Sequence, residues 1–282
     1  MSGLRARAVL NLVLLLVAGT LIAFIWLGPA SKQAPEAARL SRLDANTVTR
    51  VRIERAGQPP LVLERDGVLW RIKSPSERPA NGIKVAALLG LASARVHDAF
   101  RAIGNDLAAF GLEPPAARVW FDNEAFTFGD TDPLNGWRYV LHGPDVHLIT
   151  DAYFHHILAT PPAYLDPAPL AQVSRPVGVS VMPATRQASK QKGGTSPAAE
   201  SAVRHPGKKL VEAWVAARAT AVRALDSRLP WTGAVRVSLP DGKPDIRFQV
   251  ARLEHEVAFG RRDWAVQYHF PRAAGELLLG AE

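Results

Sequence analysis

The chain has 282 residues, no cysteine and a formal charge of +8, from 34 lysines and arginines against 26 aspartates and glutamates. The lack of cysteine excludes a disulfide scaffold, a thiolate zinc site, an iron–sulfur cluster and a cysteine nucleophile. A hydrophobic content of 48% excludes a disordered chain, and the length allows one large domain or two smaller ones.

The excess positive charge lies in two short segments. Residues 1–30 contain two arginines and no acidic residue, and residues 186–209 contain six basic residues against Glu200 alone. Residues 31–185 are balanced, and residues 210–282 have one positive charge in excess. The sequence pI of 10.1 therefore does not describe a basic folded surface, and we expect no nucleic-acid partner.

Residues 8–27 are apolar and uncharged, and they predict a single transmembrane helix. Twenty helical residues span about 30 Å, which matches the hydrocarbon core of a bilayer. Arg5 and Arg7 precede the span, so the N-terminus is expected in the cytoplasm and the bulk of the chain outside it. A cleaved signal peptide, with small residues at 28–30, and a buried soluble helix are the alternatives.

After a predicted tether at 31–43, the first half of the chain reads as strands around one helix. Runs at 61–65 and 69–72 flank Asp66-Gly67, which is a strong hairpin signal. Asn81 is a predicted N-cap for a helix that ends near Ala94. Short runs at 118–121, 125–129, 137–141 and 146–149 predict an antiparallel meander, and Asp151 is expected to cap a short helix that ends at 159.

The second half begins with a predicted strand at 177–181 and a polar segment at 186–207, which we interpret as a flexible basic loop. An amphipathic helix is predicted over 208–225. Further strands are expected at 235–239, 246–250, 257–260 and 264–268, followed by a helix at 273–279.

The two halves suggest a weak internal repeat, in which Phe128-Gly129 parallels Phe259-Gly260. The predicted fold class is α+β, with an N-terminal transmembrane helix followed by two related units of mainly antiparallel sheet, each with a covering helix. The expected division is an anchor (1–30), a tether (31–43), a first unit (44–170), a divergent segment with the basic loop (171–207) and a second unit (208–282).

Several phrases resemble the DUF4340 family of bacterial proteins of unknown function. They include 51–55, 60–65, 67–72, Pro75, 79–81 and Phe128-Gly129 through 138–140, and the most distinctive is Leu107 to Pro115. The resemblance covers about 44–170 well and extends to 210–214 and 267–269. It implies a membrane-anchored protein of the cell envelope, in some cases associated with ABC-type export systems, and it implies no catalytic residues.

Two groups of histidine and acidic residues are candidate metal ligands. His142 and His147 lie on opposite sides of a predicted turn, and Asp151 and His155 have the i,i+4 spacing of one helix face, with His156 adjacent. No third ligand is evident in either group, so the expectation is no metal and no cofactor. Glu254-His255-Glu256 lacks the spacing of a zinc protease.

Two carboxylate pairs, Asp122 with Glu124 and Asp130 with Asp132, flank predicted turns, where such residues usually bind local backbone groups. Gly193-Gly194 follows Lys192, which is the wrong order for a phosphate loop. We therefore predict no catalytic residues and no enzyme. Five tryptophans are expected mainly in the core, with a carbohydrate-binding row as the alternative: Trp70, Trp120, Trp137, Trp214 and Trp264.

The leading functional hypothesis is a non-enzymatic, membrane-anchored envelope protein that acts as an interaction or accessory subunit of a membrane complex, such as an ABC-type export system. Its partners would be the bilayer, through residues 8–27, and integral membrane proteins. The expected location is the bacterial inner membrane, with the bulk of the chain periplasmic. An envelope polymer-binding module for an anionic glycan or lipid headgroup is the alternative, and an uncharacterised hydrolase is third.

Overall fold

The computed structural model describes residues 38–183 and 208–281. The predicted span at 8–27 and the basic loop at 186–207 lie outside the described residues. Within the described ranges, no helix has both the length and the apolar character needed to cross a bilayer.

The first sheet has nine strands, all paired antiparallel in the order β4-β3-β2-β1-β6-β7-β8-β9-β5. The predicted hairpin around Asp66-Gly67 is confirmed, and Gly67 has the positive φ of 60° that such a turn requires. The strands are β1 (Arg50–Arg55), β2 (Leu61–Asp66), β3 (Leu69–Ser74), β4 (Arg78–Pro79), β5 (Val96–Arg101), β6 (Ala117–Phe121), β7 (Glu124–Thr131), β8 (Arg138–His142) and β9 (Asp145–Ile149).

The second sheet has six antiparallel strands in the order β10-β12-β13-β14-β15-β11. Most side chains of its last long strand are buried on both faces, so this part of the sheet is covered on each side. The strands are β10 (Gly178–Pro183), β11 (Ala221–Ala224), β12 (Trp231–Ser238), β13 (Ile246–Arg252), β14 (Glu256–Arg261) and β15 (Val266–Pro271).

Four α-helices complete the described part of the chain: α1 (Gly82–Leu89), α2 (Phe154–Leu158), α3 (Lys208–Ala216) and α4 (Arg272–Leu277). The predicted N-cap is confirmed, because the Asn81 side chain accepts hydrogen bonds from the first turn of α1. On α3, Trp214 packs between two phenylalanine rings of the second sheet and donates from Nε1 to the Leu278 carbonyl at 2.9 Å. The fold is therefore α+β, with mostly antiparallel sheet and few helices.

The two sheets share one strand order. In each sheet a helix is followed by an edge strand, which is β5 in the first sheet and β11 in the second. The next four strands, β6–β9 or β12–β15, form a meander whose last strand pairs with that edge strand. β1 pairs with β6 as β10 pairs with β12. Phe128 lies on β7 and Phe259 on β14, whereas β13 is the counterpart of β7, so the predicted equivalence of these two phenylalanines is wrong.

The predicted helix over 208–225 is too long. α3 ends at Ala216, and residues 221–224 form β11, which pairs with β15 and buries Val222. The apolar residues after Ala216 keep a helical spacing in the sequence, but pairing with a sheet edge satisfies both their side chains and their backbone. Tertiary pairing therefore overrides the local pattern.

The first predicted helix is α-helical over a shorter range, although helical turns continue to Ser93, close to the predicted end near Ala94. α1 stops at Leu89, a single 3-10 turn follows at Gly90–Ser93, and the unpredicted edge strand β5 begins at Val96. Asp151 does not cap α2, because its carboxylate pairs with Arg138 on β8. Edge strands such as β5, whose side chains are mostly exposed, carry little hydrophobic periodicity to reveal them.

The predicted tether is packed where it can be described. Leu40 and Ser41 are buried, and their amides donate to the carbonyls of Ala94 and Ala92. Residues 164–167 also connect the two sheets: the Asp166 amide donates to the carbonyl of Pro79 in β4, and the Pro167 carbonyl accepts from the Ala219 amide just before β11. Buried side chains of both sheets and of helices α1 to α4 form or line one continuous core.

Candidate functional site

An opening lies along the first half of β13. β12 pairs with Ile246, Arg247 and Phe248 on one side, whereas β14 pairs only with residues 249–252 on the other. Because successive residues of a strand point their backbone N–H and C=O groups to alternate sides, Ile246 and Phe248 direct theirs to β12, and Arg247 alone of the three points its own into the opening, where no described strand pairs with them. We call this opening the β13 groove.

The walls of the β13 groove are mainly apolar. The apolar lining of the groove includes Val173, Leu239, Ile246 and Phe248, and residues 261–263 also border it. Its volume is about 720 Å³, which is within the range of sites that bind small ligands or short peptides. The groove exists because β14 turns away into a single 3-10 turn at Arg262–Trp264.

Two arginines at the groove have no carboxylate partner among the described residues. Asp245 is 3.7 Å from Arg236, and Asp263 forms a bidentate pair with Arg261 at 3.0–3.1 Å. Those contacts neutralise both acidic residues that line the groove. Arg247 and Arg262 are exposed and make no ion pair within 38–183 or 208–281, so the groove has a net positive rim.

A buried polar cluster forms the base of the far wall. Arg261 is 6% exposed, and its guanidinium lies 3.5 Å from the centre of the Trp264 ring, while Arg78 of the first sheet lies 4.9 Å from the same ring. Tyr268 is fully buried, and burial raises the pKa of its hydroxyl, partly offset by the positive charge of Arg261. This cluster fixes the position of Arg261 and hence of the wall.

Both carboxylates of the first predicted pair, Asp122 and Glu124, accept hydrogen bonds from the N-terminal part of the described chain. Asp122, at a positive φ of 50°, accepts hydrogen bonds from the backbone amides of Thr49 and Arg50 at the start of β1. Glu124 accepts from the Ser41 hydroxyl at 2.6 Å and lies 3.6 Å from His142. The two carboxylates therefore hold the first strand and the N-terminal segment in place.

The two carboxylates of the second predicted pair, Asp130 and Asp132, have different surroundings. Asp132 accepts two hydrogen bonds from Asn135 at 2.9 Å, which closes the turn between β7 and β8. Those bonds lower the pKa of Asp132 against the opposing effect of burial, which is the largest single influence on it. Asp130, on β7, instead lies beside Gly111, which belongs to the segment that covers this strand.

The predicted histidine pair is brought close, with ring centres of His142 and His147 6.3 Å apart. His142 Nδ1 bonds to the Ala125 carbonyl at 3.1 Å, and burial followed by repulsion from His142 lowers the pKa of His147. Among the described residues, no three His, Cys, Asp or Glu side chains form a group that could hold a metal ion.

The helical candidates are separated by their partners. Asp151 pairs with Arg138, and the rings of His155 and His156 lie 3.8 Å apart at the C-terminal end of α2. Burial, followed by the nearby His155, lowers the pKa of His156. Neither histidine meets a carboxylate in the described ranges.

A series of hydrogen-bonded side chains on the second sheet was not predicted from the sequence. His269 Nδ1 donates to Glu256 at 2.8 Å, and the Gln267 amide donates to His269 Nε2 at 2.9 Å. Gln267 in turn accepts from the Asp226 amide. The only signal for it was that Gln267 and His269 lie two apart in a strand, on one face. Glu254 and His255 are exposed.

The tryptophans divide into core and surface groups. Trp70 and Trp214 are buried, as predicted. Trp137 stacks on His97, Trp264 contacts two arginines, and Trp120 lies under Arg52 at 5.3 Å. The three partly exposed rings occupy separate places, so they form no continuous aromatic row.

A smaller depression of about 490 Å³ adjoins Trp120 on the outer face of the first sheet. Its two arginines are paired, Arg50 with Glu64 at 3.6 Å and Arg52 with Glu54. It therefore lacks the unpaired positive charge of the β13 groove. The glycine-rich segment at 193–196 and the basic loop lie outside the described residues.

No local pattern in the sequence indicates the β13 groove. Arg247 lies inside a strand pattern and Arg262 beside a turn, where isolated charges are usual.

Comparison with protein-family models matches residues 70–246 to a family described as "Domain of unknown function (DUF4340)". No curated protein and no solved structure matches the chain.

Proposed function

Because the chain belongs to the DUF4340 family, a domain of unknown function, we propose its role from the site itself: a non-enzymatic interaction or accessory subunit of a membrane complex. The β13 groove supports this proposal. It combines apolar walls with backbone groups of Arg247 and two arginine side chains that have no strand or carboxylate partner within the described ranges, which is a surface suited to holding a partner. Five of the histidine and carboxylate candidates described above instead hold strands and turns together: Asp122, Glu124, Asp132, His142 and Asp151.

The proposal includes a bacterial inner-membrane location, with residues 8–27 as the anchor, the N-terminus in the cytoplasm and the groove on the periplasmic side. Support comes from the uncharged apolar run and the two arginines that precede it. An integral membrane complex, such as an ABC-type exporter, would then be within reach of the anchored chain. The proposed relation between the two sheet units rests on their common strand order.

The partner is tested by crosslinking the tagged full-length chain in native membranes and purifying it in mild detergent. We expect integral membrane proteins to co-purify, and to be depleted for the double variant Arg247→Glu with Arg262→Glu. Arg118→Glu, at an exposed position on the outer face of the first sheet, is the matched control. Recovery of the chain without membrane partners would contradict the proposal, and turnover of a substrate by the purified chain would favour the hydrolase.

The natural absence of cysteine allows a clean test of topology. Leu134 is 89% exposed, so Leu134→Cys is expected to react with a membrane-impermeant maleimide added to intact spheroplasts. Ser2→Cys, in the N-terminal segment outside the described residues, is expected to react only after lysis. The reverse labelling pattern would place the folded part in the cytoplasm.

A further inference from the structure

We infer that the β13 groove binds a short extended peptide segment that carries acidic side chains. This inference rests on the proposed function, since it names the chemistry of the partner at the same site. Three features of the groove lead to it: the unpaired strand edge, the apolar walls and the positive rim.

The strand edge decides between a peptide and a lipid chain. Residues 246–248 have β12 on one side and no described strand on the other, and the backbone N–H and C=O of Arg247 point into the groove. An acyl chain would cover these groups without hydrogen-bonding them, which is unfavourable for each group buried in that way. An extended peptide pairs with them as an added strand and pays no such penalty.

The side chains around that edge specify the rest of the ligand. Val173 and Leu239 offer apolar contacts for alternate residues of a bound strand. Arg247 and Arg262 remain without carboxylate partners in the described part of the chain, and an acidic side chain or a terminal carboxylate would pair with either. A basic segment would be repelled by the same two guanidiniums.

The length of the free edge limits the ligand. Only Arg247 has backbone groups directed into the groove, so only one residue of the peptide pairs directly with β13. The groove therefore suits a linear segment of a larger partner better than a second folded sheet. Such short contacts give modest affinity, which fits an accessory subunit that is also held at the membrane by its anchor.

The test uses a displayed library of random octapeptides, selected on the detergent-solubilised full-length chain. We expect the recovered sequences to be enriched in acidic residues alternating with apolar ones. The selected peptide should bind the Arg247→Glu, Arg262→Glu double variant at least about tenfold more weakly. The corresponding double lysine variant should retain binding within a few-fold, and Arg223→Glu, on the edge strand β11 of the second sheet, should leave binding unchanged.

Pairing through the backbone has its own readout. N-methylation of alternate peptide amides should abolish binding in one of the two phases and spare it in the other, because only one set of amides faces β13. Equal tolerance of both phases would overturn strand pairing. Peptides without acidic enrichment, or equal binding to the charge-reversed variant, would overturn the proposed ligand chemistry.

Phosphatidylglycerol vesicles that bind the chain through Arg247 and Arg262, with no peptide selected, would assign the groove to lipid and overturn the inference. The outcomes also separate the two proposals. Co-purifying membrane partners that are insensitive to the groove variants would leave the subunit role standing and remove the groove from it. Selected acidic peptides without any co-purifying partner would do the reverse.

Discussion

The carbonyl oxygen of Phe110 lies 2.2 Å from the position that a Cβ atom would occupy on Gly129. Phe110 belongs to the segment at 107–115, which crosses the outer face of the first sheet, and its ring packs against Phe100 and Tyr139. Two of the family phrases, Leu107 to Pro115, which is the most distinctive, and Phe128-Gly129, therefore meet in space. Their role at this contact is to bring a covering segment against β7, which is a structural role.

Gly129→Ala is expected to destabilise the protein by about 3 kcal/mol, because the new methyl group cannot be accommodated without moving the Phe110 backbone. Chemical denaturation monitored by tryptophan fluorescence measures the change. Gly82→Ala is the control, since nothing lies within 4 Å of a Cβ at that position. A loss for Gly129→Ala no larger than that for Gly82→Ala would show that the segment shifts freely.

Arg138→Met is expected to cost about 2–3 kcal/mol of unfolding free energy. Arg138 is largely buried, pairs with Asp151 and donates to the Gly129 carbonyl, so its loss leaves a buried acceptor without a partner. Arg101→Met removes an exposed pair with Asp145 at 3.3 Å and should cost less than about 1 kcal/mol. Equal losses for the two variants would contradict this ranking.

His269→Ala is expected to cost about 3 kcal/mol, because it leaves Glu256 and the Gln267 amide without their buried partner. Thermal unfolding of the variant, compared with His255→Ala, provides the measurement. His255 is highly exposed, so its replacement should leave the unfolding temperature nearly unchanged. A stable His269→Ala protein would mean that water replaces the imidazole in this chain of hydrogen bonds.

The stability of the protein is expected to fall as the pH drops below about 6.5. Burial, with repulsion from His142 as the second cause, lowers the pKa of His147, and burial likewise lowers that of His156. Below this pH the unfolded chain therefore binds more protons than the folded chain does, so acidification favours unfolding. Urea denaturation between pH 7.5 and pH 5 measures the effect.

His147→Gln is expected to make this pH dependence shallower, because it removes one of the two histidines whose protonation opposes folding. His255→Gln, at an exposed position, should leave the slope as it is in the wild type. A steeper slope for His147→Gln would reverse the sign assigned to this residue. An unchanged slope would assign the effect to His156 and other groups.

The strands with alternating or apolar side chains, β1–β3, β6–β9 and β12–β15, could be predicted from periodicity and turn residues. β5 and β11 could not, since both are edge strands whose formation depends on a neighbour far along the chain, β9 and β15 respectively. The end of α3 at Ala216 has the same origin. Local sequence carries no information about which sheet edge is available to such a segment.

Residues close together in the chain specify the apolar span, the uneven charge, the turns and the family phrases. Which charges lack a partner within the described ranges follows instead from how the strands are placed in the fold. Asp245 and Asp263 are neutralised by Arg236 and Arg261, while Arg247 and Arg262 are left beside an unpaired strand edge. That outcome depends on where β14 leaves β13, and the separation of two strands is set by packing across the whole sheet.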